Sequence, residues 1–267
     1  MKVIANESPL IIDIKRNSWE DGPGIRTVIF FKGCPLSCIW CHNPEAISKE
    51  QEIGFFPKKC ISCFECKKIC PKGAITIKPL RIERDLCNFC GICVDACPSK
   101  AIRIIGKFYE VDKLIELILL DKPFYDASNG GITISGGEPT LFPDYVGELL
   151  KTLKANDVHT LLQTSGLFEY SCFKDKLLPY LDVIYYDIKL IDPILHYKFT
   201  GSSNQIILKN LISLQKEGID LVVRTPLIPR YTDIKENLDR IKAFLLENAI
   251  KEHILLPYNP LYLWKYT

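Results

Sequence analysis

No stretch of this chain approaches the ~20 consecutive apolar residues that a bilayer-spanning helix needs, and residues 1–12 lack the long apolar run of a signal peptide. The expectation is a cytoplasmic protein with no membrane partner. An excess of charge of either sign is also missing: 34 Lys and Arg stand against 32 Asp and Glu, for a formal net charge of +2. No global field therefore argues for nucleic acid or an anionic surface as partner. Low-complexity segments and long repeats are absent, apart from one short duplication. At 267 residues, the chain fits one large α/β domain carrying a modest insertion.

What the chain has in excess is cysteine. Eleven of its 12 cysteines fall into three tight clusters, and Cys172 stands apart. In a cytosolic protein, close-spaced cysteines read as metal ligands before disulfides, because the compartment keeps thiols reduced. Cys172 reads as a buried apolar filler. His159 and His253 start strands and read as structural.

Six β-rich stretches, at residues 25–31, 131–135, 159–164, 183–189, 221–227 and 253–258, alternate with helix-period segments. Apolar stripes mark four helices: Val111, Leu114, Ile115 and Ile118; Val146, Leu149, Leu150 and Leu153; Ile207, Leu211 and Leu214; and Ile234, Leu238, Ile241 and Leu245. This alternation predicts parallel βαβ units closing into a partial (β/α)6 TIM-like barrel with an open side. Residues 51–106 break the rhythm with dense Cys, Lys and Pro, so they are expected to form an inserted α+β module. Residues 1–50 and 107–267 are left for the barrel.

Within the insert, Cys60, Cys63, Cys66 and Cys70 precede Pro71 in the run C-x2-C-x2-C-x3-C-P, and Cys87, Cys90, Cys93 and Cys97 before Pro98 repeat it. This is a bacterial ferredoxin signature, in which the fourth cysteine of each run ligates the other cluster. Cys60, Cys63, Cys66 and Cys97 are thus expected to hold one 4Fe-4S cluster, and Cys87, Cys90, Cys93 and Cys70 a second. Structural zinc is the competing reading, but zinc sites seldom use two identical four-cysteine runs each closed by proline. Fully ligated clusters have no open iron and serve to carry electrons. Lys58, Lys59, Lys67, Lys68 and Lys72 crowd the first run and could dock an acidic donor, although a solvated lysine face is the commoner explanation.

Cys34, Cys38 and Cys41 follow an apolar strand with the spacing C-x3-C-x2-C, and no fourth cysteine fits. Three thiolates leave one iron of a 4Fe-4S cluster open, and an open position separates a catalytic metal site from a structural one. S-adenosylmethionine (SAM) can chelate such an iron through its amino and carboxylate groups. Zinc held by the triad with His42 would not account for Ser135-Gly136-Gly137-Glu138-Pro139, where a glycine pair at a strand end lets the backbone approach a ligand.

With Trp40 before Cys41, the triad resembles the radical SAM superfamily, whose GGEP motif binds the SAM amino group. Asp21-Gly22-Pro23-Gly24-Ile25-Arg26-Thr27 and Cys41-His42-Asn43 narrow the resemblance to glycyl-radical-enzyme activating enzymes, along almost the full chain. Asp187-Ile188-Lys189, followed by Asp192, His196 and Thr200-Gly201, matches that family's D-x-K segment. The resemblance implies SAM contacts from Trp40, Cys41, His42, Gly136, Gly137, Glu138, Thr164, Asp187, Ile188, Lys189, Arg224 and Asn259. It also implies that Asp21 meets an arginine on the partner's glycyl loop. Two departures stand out: Gln163 occupies the place of an aspartate that helps hold a monovalent cation, and Asn259 replaces a histidine. The insert makes the chain look like activases of the hydroxyphenylacetate decarboxylase, glycerol dehydratase and benzylsuccinate synthase systems.

The implied activity is that of an anaerobic oxidoreductase with three 4Fe-4S clusters and SAM as cofactors. SAM would be cleaved reductively to a 5'-deoxyadenosyl radical that takes hydrogen from a glycine Cα of a partner glycyl radical enzyme. No side chain of this chain is expected to act as the catalyst. A low-potential donor such as flavodoxin or ferredoxin would supply electrons to a monomer. The alternative is a radical SAM enzyme acting on a small molecule or peptide, with auxiliary clusters.

Overall fold

The computed structural model describes residues 9–77 and 80–259. The ends of the expected barrel, residues 1–8 and 260–267, lie outside the described residues. The chain opens with β1 (Leu10–Ser18) and β2 (Arg26–Lys32), then passes through β3 (Glu52–Phe55), α1 (Glu65–Ile69), β4 (Ile75–Ile77), β5 (Leu80–Ile82), α2 (Ile92–Asp95) and β6 (Ile102–Ile105). After β7 (Lys107–Phe108), α3 (Val111–Leu119) and α4 (Lys122–Ser128) lead to β8 (Gly131–Gly136) and α5 (Pro143–Ala155). The remainder alternates: β9 (His159–Thr164), α6 (Tyr170–Lys176), β10 (Val183–Asp187), α7 (Pro193–Thr200), α8 (Gln205–Glu217), β11 (Asp220–Pro226), α9 (Lys235–Glu247) and β12 (His253–Leu256).

Eight strands form one sheet in the order β12-β11-β10-β9-β8-β2-β1-β7. The six strands from β2 to β12 in this order are parallel, and they are the six expected from the sequence. β1 and β7 extend the sheet antiparallel and were not expected. β1 hides from period-two reading because its pairing with β2 shifts register between Ile11 and Asp13 and again between Lys15 and Ser18.

Strand parity assigns the two faces of the sheet. Ile29, Phe31, Ile132, Ile134, Leu162, Ile184, Tyr186 and Val223 turn towards the helices and share one core with Leu114, Leu149, Leu150, Leu211 and Ile241. The other parity places Ser135, Gln163, Asp187 and Arg224 on the opposite face. All four striped helices are present, but the last starts after Ile234, which is exposed, and buried Asn237 joins its inward face. Cys172 is half-buried in the first turn of α6 rather than buried, so it is no core filler.

Between β2 and β7 the chain leaves the large sheet. β3 pairs with β6 and β4 with β5, forming two small antiparallel ladders beside α1 and α2. Their apolar cluster is separate, centred on Ile53, Cys66, Ile75, Cys93 and Ile102. At the neck, the Gln51 side-chain amide donates to the Gly106 carbonyl at 2.8 Å, joining the outgoing and returning crossings. Gly106 has φ +94, and a Cβ there would lie 3.0 Å from the Lys32 stem. Among the described residues, no helix is long and apolar enough to cross a membrane.

Candidate active site

A cavity of about 360 Å³ opens where the C-terminal ends of the six parallel strands converge. That is the usual address of chemistry in parallel α/β folds. The loop after β2 supplies Cys34, Cys38, Trp40, Cys41 and His42 to its wall, and β8 supplies Ser135, Gly136 and Gly137. Gln163 and Thr164 come from β9, Asp187 from the end of β10 and Lys189 from just beyond it, Arg224 from β11, and Asn259 from beyond β12.

Backbone bonds fix the cysteine loop. Gly33 and Cys34 donate to Ala46 and Ile47 at 2.7 and 3.0 Å, while Ser37 and Ile39 donate to Thr200 and Phe199 at the end of α7 at 2.8 and 3.1 Å. Gly201, at φ +77, packs so closely that a Cβ would meet the Ser37 hydroxyl at 2.3 Å. His196 Nδ1 lies 2.7 Å from the Ser202 carbonyl and 3.0 Å from the Thr200 hydroxyl, bracing the same turn. The matched His196 and Thr200-Gly201 therefore support the cysteine loop, and neither is among the cavity-lining side chains.

The glycine pair is stitched to that loop: Gly137 N–H donates to Phe31 O at 2.8 Å and Glu138 N–H to Gly33 O at 2.7 Å. A Cβ on Gly137 would lie 2.1 Å from the Gly33 carbonyl. The Glu138 side chain is fully buried behind the wall. Its carboxylate accepts from the N–H and hydroxyl of Thr140, the hydroxyl of Thr164 and the N–H and hydroxyl of Ser165, at 2.6 to 3.4 Å. Glu138 thus shapes the cavity through β9. Ile188 points into the core.

Charge is concentrated on β10 and β11. Arg224 grips Asp187 with Nε and Nη2 at 3.0 and 2.8 Å, and Lys189 lies 3.6 Å away. Burial alone would raise the Asp187 carboxyl, yet the Arg224 and Lys189 charges hold it below the ordinary carboxylate range. Burial would likewise lower the Lys189 ammonium, but the Asp187 carboxylate keeps it raised. Two cations against one carboxylate suit an anionic ligand. Gln163 accepts from the Ser135 hydroxyl at 2.8 Å and brings no charge.

Burial pushes the Cys34 thiol to about 12 and Cys41 to about 11, so forming the thiolates here calls for a cation among them. The triad, sharing a cavity with a glycine pair and a cationic wall, fits a cluster with one iron left for a small zwitterionic ligand. In the small ladders, one cavity is lined by Cys60, Cys63, Cys66 and Cys97, and another by Cys70, Cys87, Cys90 and Cys93. Each contains the set expected from crossed ligation.

Asp21 is not brought to the cavity. It precedes β2 at the strand's opposite end, where its carboxylate accepts from the Ser18 hydroxyl at 2.5 Å and from Lys15 at 3.3 Å. Sequence reading also missed three buried asparagines. Asn237 accepts from Ile191 N–H at 3.0 Å and donates to Lys189 O at 3.1 Å, Asn204 donates to the carbonyls of Leu190 and Ile191, and Asn210 donates to those of Gly166 and Phe168. The available signal was an amide on an apolar helical stripe.

A cysteine triad, a strand-end glycine pair and an Asp-Lys-Arg group at one end of a parallel sheet define a radical SAM protein. A family described as a 4Fe-4S single cluster domain matches residues 20–208. The chain is 40% identical over 268 residues to the isethionate sulfite-lyase activating enzyme of Nitratidesulfovibrio vulgaris, covering 96% of this chain and 86% of that one. It is 39% identical to the (2S)-3-sulfopropanediol dehydratase activating enzyme of Klebsiella oxytoca, over 98% of this chain and 86% of the relative. A solved structure of Streptococcus suis SuiB bound to precursor peptide SuiA is similar in fold, with TM-score 0.51 and 16% identity over 60% of this chain and 35% of that one. The chain belongs to the glycyl-radical-enzyme activating enzymes.

Proposed function

We propose that this activating enzyme carries three 4Fe-4S clusters: an open one on Cys34, Cys38 and Cys41, and two closed ones on the crossed cysteine sets. In this reading, residues 1–50 and 107–267 form a partial barrel around SAM, and residues 51–106 form a ferredoxin-like insert. The observation that carries the proposal is the convergence of the triad, Gly136-Gly137 and the Asp187-Lys189-Arg224 group on one cavity. When bound, the open cluster supplies one electron to the SAM sulfonium, releasing methionine and a 5'-deoxyadenosyl radical.

The protein's own residues bind and orient. Gly136 and Gly137 line the cavity, and with the N–H groups of Gly137 and Glu138 already committed, it is their carbonyls that would accept from the SAM amino group. Lys189 and Arg224 balance the carboxylate. Trp40, packed with Leu190 and Ile228, closes one wall against water. An extended glycine loop of the partner enzyme would enter at the mouth of the cavity, at the C-terminal ends of the strands. Asp21 would contact that loop only if its arginine competed with Lys15. The relatives' names point to a glycyl radical enzyme as the protein substrate. A cytosolic monomer fed by a low-potential donor completes the proposal.

The test is anaerobic reconstitution. About twelve iron and twelve sulfide per chain are expected. Adding SAM should change the electron paramagnetic resonance spectrum of one reduced cluster and leave the other two unaltered. A spectrum indifferent to SAM would refute the proposal.

A further inference from the structure

None of the residues of the ion pair at the neck lines the cavity proposed for SAM. Lys32 ends β2, two residues before Cys34, and its side chain is wholly buried. Its ammonium donates to the Glu45 carbonyl and to Glu52 Oε2, each at 2.6 Å. Glu52 opens β3, and its other oxygen lies 3.5 Å from Arg84 Nη1. Arg84 stands three residues before Cys87, in a turn closed by the Cys87 N–H, which donates to Glu83 O and Arg84 O at 3.1 and 3.2 Å. A continuous path therefore runs from the first cysteine of the triad to the first cysteine of the second run.

The two cysteine cavities differ in their relation to this path. Ile53, adjacent to Glu52, lines the cavity of Cys70, Cys87, Cys90 and Cys93. Phe55 and Ile102, paired at the other end of the β3–β6 ladder, line the cavity of Cys60, Cys63, Cys66 and Cys97. The first set thus sits at the neck end and the second at the far end. Stability alone is a poor reason for the pair, since an apolar side chain of similar volume is often as stabilising as a buried ion pair.

We propose that Lys32, Glu52 and Arg84 are positioning residues for electron delivery, holding the Cys70, Cys87, Cys90 and Cys93 site as the immediate neighbour of the triad. The inference rests on the three-cluster reading. In the step served, one electron, first supplied by a low-potential one-electron donor, leaves the reduced cluster of that site and reduces the open cluster. The former is oxidised, and no bond or proton moves.

The test uses reconstituted wild type and Glu52→Gln, with Arg84→Met as the milder variant because Arg84 is 56% exposed. Protein with all clusters reduced, freed of excess reductant, is mixed with excess SAM. The first SAM cleaved per chain draws on the open cluster's own electron, and the second on a relayed one. Glu52→Gln is expected to slow the second cleavage severalfold and leave the first unchanged, and to weaken the magnetic coupling between the open and neighbouring clusters seen by pulsed paramagnetic resonance. Arg84→Met should act in the same direction and decides the matter if Glu52→Gln does not fold. Unchanged second cleavage and coupling would overturn the inference, as would loss of triad iron or an equal slowing of both cleavages. Wild type lacking the Cys87 cluster would overturn the three-cluster reading instead.

Discussion

At the scale of single residues, the site's most telling side chain is one that never touches the cavity. Glu138 ties the strand-end motif to Thr140, Thr164 and Ser165 with its carboxylate wholly enclosed. Glu138→Gln replaces one acceptor oxygen with a donor facing donors, so a cost of about 1–3 kcal/mol in urea unfolding is expected. SAM affinity should fall with it, because Thr164 loses its anchor; unchanged stability would contradict this account. The motif letters were legible in the sequence, but their direction was not. Glu138 and Ile188 belong to matched motifs yet point away from the ligand side, because strand parity and the turn after β8 decide orientation. Asp21 was legible as part of a motif, while its distance from the cavity followed only from the direction of β2.

At the scale of elements, the six parallel strands were readable because each is a short β-rich stretch set between helix-period segments, although only β2 and β8 are buried along nearly their whole length and β12 has no fully buried residue. β1 was not, since its bulges break alternation, nor was β7, with its two residues. Ile234 misled because an apolar residue at helical spacing can precede the first turn. The joint between β8 and the cysteine loop makes a sharp prediction. Gly137→Ala would drive a methyl group into the Gly33 carbonyl, so the loop must shift and the triad should lose its cluster. Iron is expected to fall from about twelve to about eight per chain, the insert clusters remaining; full iron retention would show that the joint yields.

At the scale of the whole molecule, three histidines set a common pH dependence. Burial lowers His159, His196 and His253 below the ordinary value of 6.5, with the Arg26 charge adding to the effect at His159. A depressed histidine leaves the folded state with fewer protons than the unfolded one, so its stability is fully present above about 6.5 and declines as the medium is acidified. Urea midpoints should therefore be lower at about pH 5.5 than at about pH 7.5, and His159→Gln should flatten part of that slope. Equal wild-type midpoints would contradict it.

At the neck the two chain crossings are neighbours, Glu52 pairing with Ile105 beside the bond from the Gln51 side chain to the Gly106 carbonyl. A short graft could therefore bridge them and excise everything between, leaving the large sheet's strands in register. Such a miniature would strip Lys32 of its carboxylate, so the deletion should succeed only when paired with a neutral replacement such as Lys32→Met.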